Sequence, residues 1–125
     1  MTDEADQSAM QRGIAMRKRI AGDIPRTSGV DDDLYELILK YAFGDVWSRP
    51  GLDFDTRRLL TLSMTLAGGH LAEFKLHTRF ALKNGVPYAT IKELVIHSAV
   101  YCGIPAALGG FRALSDVARE LDIAP

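Results

Sequence analysis

Between residues 70 and 77 the sequence HLAEFKLH sets two imidazoles and a carboxylate at spacings of three and four residues. At about 100° per residue, a helix carries His70, Glu73 and His77 within an arc of roughly 60°. Such a stripe is either a solvated salt-bridge set or an acid–base site. Near a helix start the macrodipole favours a negative Glu73, and an ionised Glu73 at i−4 favours the protonated form of His77 and orients its ring. Read as chemistry, Glu73 and His77 form a catalytic pair able to move one proton near neutral pH. The same residue types are plausible zinc or iron ligands. Residues seven apart, however, rise about 10.5 Å along a helix, whereas paired ligands usually sit at i and i+4, so no metal site is expected. His97, on another helix, reads as a surface or packing residue, and Cys102 as a small buried hydrophobe.

The elements that must position this stripe are all helical. Glycine and proline punctuate the chain at GDIPRTSG, WSRPGLD, AGG, NGVP and CGIP, and apolar residues recur at helical spacing between them. A first helix is expected from about Asp6 to Ile20, with residues 1–9 a flexible lead. A second follows the acidic run DDD, shows Leu34, Leu37, Ile38 and Tyr41 on one face, and ends at Gly44. Asp53 or Asp55 caps a third, TRRLLTLSMTLAG, which is apolar around most of its circumference. The fourth carries the stripe from near Gly69 to a stop at Lys83–Asn84–Gly85. The fifth runs from about Pro87–Ala89 to Cys102–Gly103, and the sixth from Pro105 to about Leu121. Gly109–Gly110 in the sixth lowers its propensity and lets another helix approach closely. Helices three and five are apolar enough to pack around helix four. The expectation is one all-α domain of about six helices spanning residues 1–125.

Bulk properties narrow the function. The chain has 125 residues, 47% of them hydrophobic and 25% charged, the balance of a globular protein. A net charge of −1 gives no driving force toward nucleic acid or an anionic membrane, which leaves small molecules and protein partners. The N-terminus lacks the apolar core of a secretory signal, and no stretch approaches the length of a membrane span. A single cysteine excludes an internal disulfide framework. Together these features read as a cytoplasmic protein. The apolar content of helices three, five and six is large for so short a chain, which points to a homo-oligomer.

Three stretches, FGDVWSRPGLDFDTRRLLTLSMTLAGG, HLAEFKLHTRFALKNGV and IKELVIHSAVYCGIPAA, together resemble the carboxymuconolactone decarboxylase family across about residues 10 to 118. That family is similar to the alkyl-hydroperoxidase D-like proteins, which carry C-x-x-C-x-x-x-H at the start of the equivalent helix. Aligning that histidine with His77 puts His70 and Glu73 where the cysteines would be, so the dithiol that peroxide reduction requires is absent. The resemblance implies an alkyl-hydroperoxidase D-like helical fold, a hexamer built as a trimer of dimers, and a carbon–carbon lyase of aromatic-compound catabolism. Its substrate would be 4-carboxymuconolactone or a similar unsaturated lactone acid. Such a substrate holds its own electron sink, so no cofactor is implied. Arg57, at the position of that family's arginine, is expected to grip a substrate carboxylate; His70 is expected to receive a carboxylate or oxyanion, and Trp47 and Arg49 to form a wall and rim of the pocket, with an ordinary core place for Trp47 the alternative. Arg58 points about 100° away from Arg57 and reads as a surface or subunit-contact residue.

Two departures from the family pattern bear on the substrate: Leu108–Gly109–Gly110 stands where an asparagine usually follows the proline–alanine segment, and His70 stands where an arginine is frequent. They keep open an enzyme of the same fold acting on another unsaturated or β-keto acid, an isomerase, or a non-catalytic binding protein.

Overall fold

The structure, a computed structural model, describes residues 2–125 and is organised as two compact units, one ending at Phe54 and the other spanning Asp55–Pro125. Its elements are α1 (Thr2–Ala21), α2 (Asp32–Leu37) running on into a π-helix (Ile38–Trp47), α3 (Phe54–Ala67), α4 (Leu71–Lys83), α5 (Tyr88–Cys102) and α6 (Ile104–Glu120), with no strand among the described residues. The all-α expectation of about six helices is therefore met. None of these helices is long and apolar enough to cross a membrane.

In the first unit, α1 starts earlier than its apolar pattern suggests. Residues 2–9, expected as a flexible lead, are already helical, with Asp3 and Glu4 at the positive end of the dipole and Ala9 buried; Met1 lies outside the described residues. Asp31 caps α2 by accepting from the Leu34 N–H at 3.1 Å. Gly44 does not end this helix. The chain continues as a π-helix to Trp47, and Gly44 lies buried inside it. A Cβ at Gly44 would come 2.2 Å from the Ala9 carbonyl oxygen, and one at Gly13 would come 1.9 Å from the Leu39 oxygen. Backbone meets backbone at both points, so glycine here serves close packing of α1 on the π-helix rather than termination. Arg12 donates from Nε to the Gly44 oxygen at 3.1 Å and pairs with Asp45 at 2.9 Å.

The second unit holds the stripe. Its core joins Leu62 and Leu66 of α3, Phe74 and Ala81 of α4, Ile91 and Val95 of α5, and Leu114 and Val117 of α6. Each large buried apolar side chain contributes about 1.5–3 kcal/mol. Contrary to expectation, α4 packs chiefly on α6, which also packs on α5. Gly109 lets α6 approach α4, and Gly110 lets it approach α3 and α5. A Cβ at Gly110 would stand 3.1 Å from both Leu66 methyls, and one at Gly109 would stand 3.2 Å from a Leu71 methyl, so α6 approaches closely where side chains would hold it off. On the outer side, Lys75 and Arg79 of α4 face Asp116 and Glu120 of α6, with Arg79 donating two bonds to Glu120 at 2.9 and 3.2 Å.

Candidate active site on α3 and α4

The stripe is placed by two successive chain reversals. At the end of α3 the His70 N–H reaches the Thr65 oxygen at 2.8 Å and the Gly69 N–H reaches the Leu66 oxygen at 3.2 Å. With Gly69 at φ 77°, this is a Schellman motif, and only a residue free of Cβ strain closes it cheaply. His70 therefore ends one helix and caps the next, its own carbonyl accepting from the Phe74 N–H at 2.9 Å. The His70 ring folds back over Gly68: a Cβ there would meet its Cδ2 at 2.9 Å. At the other end of α4 the Val86 N–H reaches the Ala81 oxygen at 2.9 Å with Gly85 at φ 97°, the stop expected from Lys83–Asn84–Gly85.

Within this frame His70 and Glu73 are exposed, whereas His77 is half-buried, its ring edge-on to Phe80 at 5.3 Å and 82°. The electrostatics reverse the expected charge of the imidazole. Burial is the largest influence on His77 and lowers its pKa, Arg58 lowers it further, and Glu73, which raises it, does not compensate; the result is about 4. His77 is thus a neutral imidazole at pH 7, not the imidazolium that Glu73 alone would favour. The carboxylate sits in water, where its field is screened, while the guanidinium acts from inside the protein.

Arg58 is the residue that sequence reasoning misplaced. It is 4% exposed rather than on the surface, and it extends the inner stripe of α3 that continues through Leu62 and Leu66 at spacings of four. Burial lowers its pKa and Asp55, one turn earlier, opposes that effect; a guanidinium keeps its charge at any working pH. The spacing 58, 62, 66 was available as a signal. Because α3 is apolar on nearly all sides, the pattern did not reveal which phase faces inward. Arg57 is half-buried, and its carbonyl accepts the Thr61 hydroxyl at 2.9 Å.

In the second unit, Arg58 and Glu73 thus act in opposite directions on His77. Trp47 and Arg49 belong to the first unit. Trp47 closes the π-helix with its ring 5.8 Å from that of Phe54, which also lies under the Arg19 guanidinium at 4.3 Å, and Arg49 is exposed. Cys102, expected to be buried, is half-buried because the end of α5 faces outward, with Val100 and Tyr101 75% and 79% exposed. His97 is exposed, as expected, with its ring 5.4 Å from that of Tyr101. It lines a groove of about 430 Å³ with Leu59, Thr90, Glu93, Leu94, Ile96 and Val100. Among the described residues, no three His, Cys, Asp or Glu side chains gather as a metal-binding group.

In this helical unit one partly buried imidazole feels a buried cation and an exposed carboxylate, residue types suited to anions and single protons. The chain belongs to the carboxymuconolactone decarboxylase family, whose model matches residues 32–116. It is 32% identical over 126 aligned residues to 4-carboxymuconolactone decarboxylase of Acinetobacter baylyi, covering 96% of this chain and 94% of that one. It is 38% identical over 112 residues to nitrosuccinic acid decarboxylase of Metarhizium robertsii, covering 85% of this chain and 78% of the relative. An uncharacterised 15.0 kDa protein of Paracoccus denitrificans is 32% identical over 87 residues, 68% of this chain and 65% of that one. Both relatives named for an activity are decarboxylases.

Proposed function

We propose that this protein is a cofactor-independent decarboxylase that removes carbon dioxide from a small anionic acid with a built-in electron sink, 4-carboxymuconolactone or a similar unsaturated lactone acid. The observation that carries the reading is the partly buried His77, whose proton affinity Arg58 lowers and Glu73 raises. When the carbon–carboxylate bond breaks, its electron pair moves through the lactone double bond onto the carbonyl oxygen. Carbon dioxide leaves, and the resulting enolate takes a proton at the carbon α to the carbonyl. His77 donates that proton and regains one from water.

The imidazole is neutral in the empty site, so the substrate's own charge has to load it. An anion arriving beside His77 offsets the field of Arg58 and raises the imidazole's proton affinity, which couples protonation to binding. Arg57, His70 and the N–H groups opening α4 are available for the substrate's second carboxylate.

The 38% identity to a nitrosuccinic acid decarboxylase favours a second reading with the same logic. In a nitro acid the pair would move onto the nitro group, giving a nitronate that is protonated at carbon. Exposed apolar side chains such as Met64 at 66% and Ile104 at 62% support a homo-oligomer, for which we propose the hexamer of the family. Contact with another copy would withdraw Glu73 from water. A cytoplasmic place in aromatic-compound catabolism completes the proposal.

Carbon dioxide release and ultraviolet absorbance, followed with the purified lactone and with nitrosuccinate, test it directly. His77→Ala or Glu73→Gln should lower kcat by a factor of about 10² to 10⁴ with the helical circular dichroism unchanged. Wild-type turnover in either variant would move the proton donor elsewhere. Isomerised product without gas would make the protein an isomerase, and a ligand-dependent rise in Tm without turnover would make it a binding protein.

A further inference from the structure

Helix α5 is apolar on two sides, and its own core covers one of them. Ile91, Val95 and Ser98 face inward and are buried. On the opposite side of the helix Ile96, Val100 and Tyr101 are 50%, 75% and 79% exposed. A helix with two apolar faces belongs between two packed layers, and a single chain supplies only one of them here. The surface area agrees. The chain exposes 7794 Å², whereas a compact monomer of 13.7 kDa exposes about 6,600 Å². The surplus of about 1,200 Å² is more than the roughly 800 Å² that each partner contributes to a standard interface.

The relief of this face specifies the occupant. Leu59 of α3 and Glu93, Ile96, His97 and Val100 of α5 line a groove of about 430 Å³. Tyr101 stands at its edge, its ring 5.4 Å from that of His97. Recess and projection thus lie one helical turn apart on the same element. An isologous contact requires that arrangement, because across a two-fold axis each copy must supply both halves of the fit. Polarity matches as well: Glu93 offers a carboxylate acceptor in a largely apolar groove, and the projecting Tyr101 carries a hydroxyl donor. We propose that a second copy of this chain docks on α5, the two helices antiparallel about a two-fold axis near His97, so that Tyr101 of each copy fills the groove of the other and donates its hydroxyl to Glu93. This names one face of the homo-oligomer proposed above and rests on that reading, but not on the reaction.

Sedimentation velocity on the purified wild-type chain should show association at micromolar concentration. Val100→Glu, a change at a side chain 75% exposed, should lower the mass at least twofold with the helical circular dichroism unchanged. Tyr101→Ala should weaken association by about tenfold or more, and Tyr101→Phe, which loses only the hydroxyl, by about threefold. A wild-type monomer at every concentration would defeat the homo-oligomer reading together with this face. An associating wild type whose mass is unchanged by both Val100→Glu and Tyr101→Ala would overturn the face alone. Cross-linking locates the axis without adding charge: in a Cys102→Ser background, His97→Cys should yield a covalent dimer with a short bismaleimide, whereas Lys83→Cys, exposed at the end of α4, should not. Absence of the His97→Cys dimer, or equal yields at the two positions, overturns the two-fold arrangement even where the charged variant fails to fold.

Discussion

The two sides of α4 use charge in opposite ways. Toward α6, Lys75 and Arg79 meet Asp116 and Glu120 in water, with side chains 28% to 45% exposed, and the Glu120 pKa is lowered chiefly by its hydrogen bond from Arg79. On the side that Arg58 influences, that guanidinium is 4% exposed and makes the nearby imidazole reluctant to take a proton. Complementary charges abound on the first side and contribute little, because solvent screens them and long side chains lose freedom in pairing. Few charges occupy the second side, yet the buried Arg58 perturbs His77 more than the exposed Glu73 does, because water is excluded from around the guanidinium. Exposure, rather than the number of ion pairs, decides where charge becomes chemistry.

Acid titration tests the buried side with the largest effect. Because the folded state lowers the pKa of His77 from 6.5 to about 4, the unfolded chain binds more protons between those values. The stability contributed by the neutral imidazole is complete above about pH 7 and is lost as pH falls from 6.5 toward 4, by at most about 3 kcal/mol and less to the extent that solvent screens the half-buried ring. Denaturant melts across that window should show the decline. His77→Gln, neutral at every pH, should flatten it, and an unchanged slope would break the contrast between the two sides.

A smaller effect isolates the guanidinium. Replacing Arg58 by methionine removes a cation that disfavours imidazolium, so the His77 titration followed by NMR should move upward from about 4. Glu73→Gln should move it downward, by less than the Arg58 change. Equal and opposite shifts would mean that the exposed carboxylate is as little screened as the buried cation.

The smallest effect belongs to the outer side. Arg79→Ala should cost about 1 kcal/mol or less in chemical denaturation, and the loss should shrink further in high salt. A cost several times larger would show that α4 is held to α6 by charge rather than by the close approach of Leu71 to Gly109.

The reading of the sequence succeeded where structure is set by neighbours in the chain. Lys83–Asn84–Gly85 stops α4 because the left-handed turn requires only a permissive residue and two local hydrogen bonds. Gly44 shows where this reasoning ends: the same residue type that stops a helix elsewhere is here an interior contact with the backbone of Ala9, and only the packed partner distinguishes the two uses. His70 and Glu73 were placed at the correct end of the correct helix, and their exposure was not legible because it depends on what else packs there.

By itself the sequence determined the helical class, the ends of the later helices and the place of Glu73 and His77 one turn apart on α4, with His70 falling at its cap, since turn chemistry and the helical repeat act over a few residues. Tertiary structure alone decided that Arg58 faces inward and that His77 is neutral. Burial and electrostatic fields are properties of the surrounding volume, and residues remote in sequence fill that volume.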